Sequence, residues 1–226
     1  MFIGHFAVGF AAKKFAPRAP LHALVLAPLF ADVLWPLLVA VGAEQVRIDP
    51  GNTVVTPLDF VSYPWSHSLL MLVIWGGLLG AYFRRKPDGN RTWLVIAALV
   101  VSHWFLDWIT HAPDMPLYPG GPKYGLGLWN NQTMTMVVEL AMFVVGVALY
   151  ETSTRARDRI GRWAFYALVV LLLVAFIGDS LDPAPPPSVD AIWMGAIVAT
   201  AVTLVWAWWI DRHREGGDEA ALRLER

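Results

Sequence analysis

The chain has 226 residues, 57% of them hydrophobic and 15% charged, with a mean hydropathy of +0.50. Soluble domains carry about a quarter charged residues, so this composition points to a membrane. A net charge of −1 gives no basic field for nucleic acid, and the absence of cysteine excludes disulfides, thiolate metal sites and cysteine nucleophiles.

The first apolar run, residues 1–12, is followed rather than preceded by Lys13, Lys14 and Arg18. That order is the reverse of a signal peptide, and the run reads as retained. At about 1.5 Å per residue it reaches roughly 18 Å, a half-helix against a hydrocarbon core of about 30 Å. Six longer blocks follow, at 21–43, 66–84, 92–111, 132–151, 161–180 and 190–211. Their apolar residues are continuous rather than periodic, which is the pattern of membrane spans. The expected fold is therefore an all-α integral membrane protein: about six transmembrane helices plus the N-terminal half-helix. A single polytopic domain covers 1–211, and 212–226 forms a charged tail.

Segments 13–20, 84–91, 152–162 and 212–226 hold fifteen of the 17 basic residues, leaving only Arg47 and Lys123 for the alternate segments. The positive-inside rule then puts both termini in the cytoplasm. The alternate segments 44–65 and 112–131 are rich in turn residues and aromatics, and loops of such length are often functional. Trp35, Trp65, Trp93, Trp129 and Trp163 near predicted span ends fit interfacial belts. No internal repeat is evident, against an inverted-repeat transporter.

Several ionisable residues interrupt the apolar blocks: His5, Asp32, His67, His103, Asp107 and Glu139. Each costs several kcal/mol at bilayer depth and calls for a partner. Counted at about 1.5 Å per residue, Asp32 and His103 lie roughly 16 Å from the cytoplasmic face, Asp107 about 22 Å, and His5 roughly 12 Å. Glu139 lies about 10 Å below the outer surface and His67 in the outer third. Six residues from five segments thus share one slab, from the mid-plane to the non-cytoplasmic face. His103, Asp107 and His111 are spaced i, i+4, i+8 and share a helical stripe. Paired ligands one turn apart can bind one cation, and a cation relieves the repulsion among Asp32, Asp107 and Glu139. Imidazole and carboxylate without thiolate suit zinc first, with manganese or iron as alternatives. Plainer readings stand beside this one. His67 and His111 could cap helix ends, and Glu139 could pair with Lys123 or a backbone group.

Gly4-His5-Phe6-Ala7, Asp32, Trp65-Ser66-His67-Ser68-Leu69 and Ser102-His103-Trp104-Phe105-Leu106-Asp107 together resemble the bacterial membrane-bound metal-dependent hydrolases, a family of LexA-regulated inner-membrane hydrolases. The resemblance covers roughly residues 1–150, and the run Asp114–Pro119 marks a distinct subgroup. A more distant similarity runs to zinc-dependent phospholipase C and the P1-type nucleases. Their ligand order is matched by His5, Asp32, His67, His103-xxx-Asp107, His111 and Thr135-xxx-Glu139, with Thr135 standing where that pattern has histidine.

The resemblance implies metal-dependent hydrolysis with one to three divalent ions in an inner membrane. Because the site opens to the non-cytoplasmic side at acyl-chain depth, the expected substrate is a lipid or lipid-linked phosphoester. Asp32 would be ligand and general base, and Asp107 the bridging carboxylate if two metals bind. Asp49, Asn52, Asp59, Asp114 and Lys123 would shape substrate entry, with Lys123 the cation that meets a phosphate. Two other classes remain open: a metal-ion or proton transporter, and a structural protein stapled by a closed metal site. Membrane lipids are the expected surroundings in every case.

Overall fold

The computed structural model describes residues 1–84, 89–181 and 184–216. Arg85 and Lys86 of the charge alternation, Asp182, and the tail beyond Gly216 lie outside the described residues.

Backbone amides in hydrocarbon must be satisfied within their own segment, so the apolar blocks form helices. In chain order these are α1 (Ile3–Ala11), α2 (Leu21–Leu26), α3 (Phe30–Ala40), α4 (Pro64–His67), α5 (Leu69–Phe83), α6 (Gly89–Thr110), α7 (Gln132–Ser153), α8 (Arg159–Leu181) and α9 (Val189–Arg212). Among the described residues, three short antiparallel ladders join the connections: β1 (Gln45–Ile48) with β2 (Leu58–Ser62), β3 (Met115–Pro116) with β4 (Lys123–Tyr124), and β5 (Thr154–Ala156) with β6 (Arg214–Gly216).

Among the described residues, α6, α7, α8 and α9 are long and apolar enough to cross a membrane. Their exposed faces carry Val137, Val144, Val170, Val174, Val198 and Val205, as expected where lipid replaces water. The other two predicted spans are not continuous helices. The block 21–43 is broken between α2 and α3, where Pro28 has no amide to donate and the Leu29 and Phe30 amides turn back to Leu26 and Ala27. Pro36 lies inside α3, so the bond that would close on the Asp32 carbonyl is missing. The block 66–84 is broken at Ser68, whose extended backbone (φ −73°, ψ 143°) separates α4 from α5 and whose hydroxyl caps α5 through Met71 N. At about 1.5 Å per residue, α5 reaches only roughly 22 Å.

Helix α1 is the hub of one core. Ile3, Phe6 and Phe10 are buried with Phe143, Tyr150, Phe165 and Leu168. Gly146 lets α7 approach closely, since a Cβ there would meet the Ala7 carbonyl at 2.4 Å. A second core gathers Tyr63, Leu72, Ile96, Val100, Trp104 and Met115 around the α5–α6 pair. The two cores meet where the rings of His5 and His103 stack, 4.1 Å between centroids.

The opposite end is closed by β5 and β6. The start of the expected tail is therefore ordered rather than loose. Its anchor is Arg214, buried against Glu151 Oε1 at 2.9 Å, the Thr154 hydroxyl and the Gly161 carbonyl, and over the rings of Tyr150 and Phe165. Beside it, the Gly161 amide and then His213 hold the Asp158 carboxyl below its usual range.

Candidate metal centre

The break after α2 and the turn at α4 bring Asp32 and His67 to the stripe on α6. Two overlapping groups result. His5, His103 and Asp107 form one, and Asp32, His67 and His103 form the other, each with its ligand atoms within 4.8 Å of one another. Asp107 Oδ1 lies 3.0 Å from His5 Nε2, and Oδ2 lies 3.0 Å from His103 Nε2 and 3.5 Å from His111 Nε2. The Met1 nitrogen also reaches Asp107 Oδ1. Asp32 Oδ1 lies 3.6 Å from His67 Nε2 and 4.0 Å from His103 Nε2.

The hydrogen bonds behind the histidines decide which ring nitrogens are bare. The Pro28 carbonyl can only accept, so His103 Nδ1 donates to it at 2.8 Å and Nε2 carries no proton in the neutral ring. Glu44 is buried and accepts from Trp65 N, Ser66 N and the Ser66 hydroxyl, at 2.8, 2.9 and 2.6 Å. The Ser66 hydroxyl has one proton and gives it to Glu44. Its oxygen therefore accepts from His67 Nδ1 at 2.7 Å, leaving His67 Nε2 bare as well. Two imidazole lone pairs thus converge on two carboxylates. His103 Nε2 is buried and hydrogen-bonded to neither. Lone pairs facing carboxylate oxygens repel unless a proton or a metal cation lies between them, and this donor set of imidazole and carboxylate fits a divalent metal. Backbone and carboxylate partners behind metal-binding histidines orient the rings in the same way.

The remaining predicted residues fall elsewhere. Glu139 Oε2 accepts from Phe2 N at 2.8 Å and Gly4 N at 3.1 Å, capping the first turn of α1, and Glu139 joins neither group. It thereby holds the turn that carries His5. His111 lies at the edge, with Nδ1 3.1 Å from Asp114 Oδ1, which also accepts from the Tyr63 hydroxyl at 2.6 Å. Asp114 is thus tied into the wall beside His111. Thr135 is buried and donates to the Leu128 carbonyl.

Lys123, expected near a phosphate, is exposed and reaches the Val61 carbonyl at 3.3 Å. Neither it nor Glu139 pairs with the other. Asn52 donates to the Leu58 carbonyl in the exposed turn after Asp49, and Asp59 accepts from Arg47 Nε at 3.0 Å across the β1–β2 ladder. Sequence reasoning missed Glu44 and the Pro28 carbonyl. Their signals were a lone acid at the end of an apolar block and a proline within one.

The YdjM inner membrane protein family matches the chain over residues 1–181, from α1 through α8, and the chain belongs to that family. No curated protein and no solved structure matches it. Family and apolar helices together establish a helical inner-membrane protein.

Proposed function

We propose that this member of the YdjM family is a membrane-embedded, metal-dependent hydrolase that acts on lipid or lipid-linked phosphoesters from the non-cytoplasmic side. The reading rests on one observation above all. His103 has its Nδ1 proton fixed by Pro28, while its bare Nε2 is buried beside two carboxylates without a hydrogen bond. His5, Asp32, His67, His103 and Asp107 would hold the metal, zinc by preference, with His111 behind Asp107. When bound, a divalent cation supplies Lewis acidity and a nucleophilic water near neutral pH. His103 offers a single free nitrogen, so the two groups share one ion or divide two between them.

The chain's own groups divide the remaining work. Both Asp107 oxygens lie within 3.0 Å of imidazole nitrogens, which suits an anchoring role. The Asp32 side chain is 41% exposed, which leaves it able to accept a proton from an incoming water. That accessible carboxylate also favours an open, catalytic shell over a closed structural staple. A positioned general base contributes about 10²–10⁴-fold to rate. Asp32→Asn should therefore lower hydrolysis of phosphoester lipids in liposomes by at least about 10²-fold, and unchanged turnover would remove Asp32 from the mechanism.

A further inference from the structure

Asp32 is the one member of the two groups with appreciable access: His5, His67, His103 and Asp107 keep between 0% and 4% of their side-chain surface. It lines a cavity of about 530 Å³ enclosed by the N-terminal segment with Phe6 of α1, by α3, by α8 and by α9. That volume is in the range of small-ligand sites, about 300–1,000 Å³. The walls are Leu171, Leu172 and Ala175 on α8 and Ala196, Ala199 and Val202 on α9. Thr203, one of the few polar lining residues, returns its hydroxyl to the Ala199 carbonyl of its own helix at 2.8 Å.

We infer that this cavity is a binding site for one acyl chain of a bilayer phospholipid, admitted sideways past α9 with its head group at Asp32. A soluble phosphoester would lose its water there and find almost no replacement partners. A lipid tail exchanges one hydrocarbon environment for another, because lipid tails are as apolar as leucine. The occupant is a lipid rather than a second protein copy because a carboxylate of the metal groups, Asp32, lines the otherwise apolar cavity. The head-group placement rests on the hydrolase reading, since without a cation Asp32 would repel a phosphate. Helix α9 lies beyond the family match, which ends at residue 181.

The test is a phosphatidylethanolamine carrying a diazirine within one acyl chain, photolysed with the full chain in nanodiscs and mapped by peptide mass spectrometry. The expected result is labelling of Leu172, Ala196 and Thr203, in addition to the outer-face residues Val170 and Val174. Ala199→Trp should reduce the cavity labels at least fivefold and leave Val174 unchanged, and Ala196→Phe serves if the tryptophan variant does not fold. Label confined to the outer face in the wild type would overturn the proposal, as would cavity labelling by a diazirine polyprenyl phosphate but not by the acyl probe. The readout needs neither metal nor turnover, so the two readings fail separately. Cavity labelling by an inactive protein would leave the acyl site standing without the hydrolase. Phospholipid hydrolysis without cavity labelling would do the reverse.

Discussion

The bare Nε2 of His67 depends on a carboxylate two residues removed from it in the hydrogen-bond chain. Glu44 takes the Ser66 proton, and only then must the Ser66 oxygen accept from the ring. Partners of this kind typically change metal affinity by about 10–100-fold when removed. Glu44→Gln should weaken zinc affinity by about that factor, read by competition with a chromogenic chelator, while Glu44→Asp recovers part of it. Wild-type affinity in Glu44→Gln would show that the tautomer is set some other way. At this scale the sequence was only partly legible. His103, Asp107 and His111 share a stripe because α6 is continuous, and spacing alone reveals that. Asp32 with His67, and Glu44 with Ser66, meet only because the backbone breaks and folds back, and no periodicity carries such information.

The element that matters most to the site is a short helix buried over most of its length. Helix α1 carries His5, is capped by Glu139 of α7, and crosses α7 where Gly146 has no side chain. Overpacking of this kind costs about 1–3 kcal/mol. Gly146→Val should destabilise the protein by about that amount, lower its thermal midpoint in detergent, and reduce metal content by moving His5. A variant of normal midpoint and full metal content would mean that α1 is not held by this crossing. The predicted blocks 92–111, 132–151, 161–180 and 190–211 correspond to α6 through α9, because uninterrupted apolar residues leave a chain in hydrocarbon no alternative to a helix. The blocks 21–43 and 66–84 have the same composition, but Pro28 and Ser68 divide them. Each break delivers a site residue: His103 is oriented by the Pro28 carbonyl, and His67 is presented by the turn before Ser68.

For the whole molecule, the charge alternation implies that the β1–β2 turn faces the non-cytoplasmic side and β5 the cytoplasm. The absence of cysteine makes this directly testable. Asn52 and Arg155 are both exposed. In intact inner-membrane spheroplasts, a membrane-impermeant maleimide should label Asn52→Cys and not Arg155→Cys, and the reverse pattern would turn the site to face the cytoplasm. The account as a whole depends on a cation between the imidazoles and the carboxylates. Its most direct test is metal analysis by mass spectrometry of gently purified wild type beside His103→Ala. The account predicts at least one divalent ion per wild-type chain, zinc foremost, and its loss in the variant. A monodisperse wild-type protein that carries no stoichiometric metal and takes up none when zinc is added would contradict it.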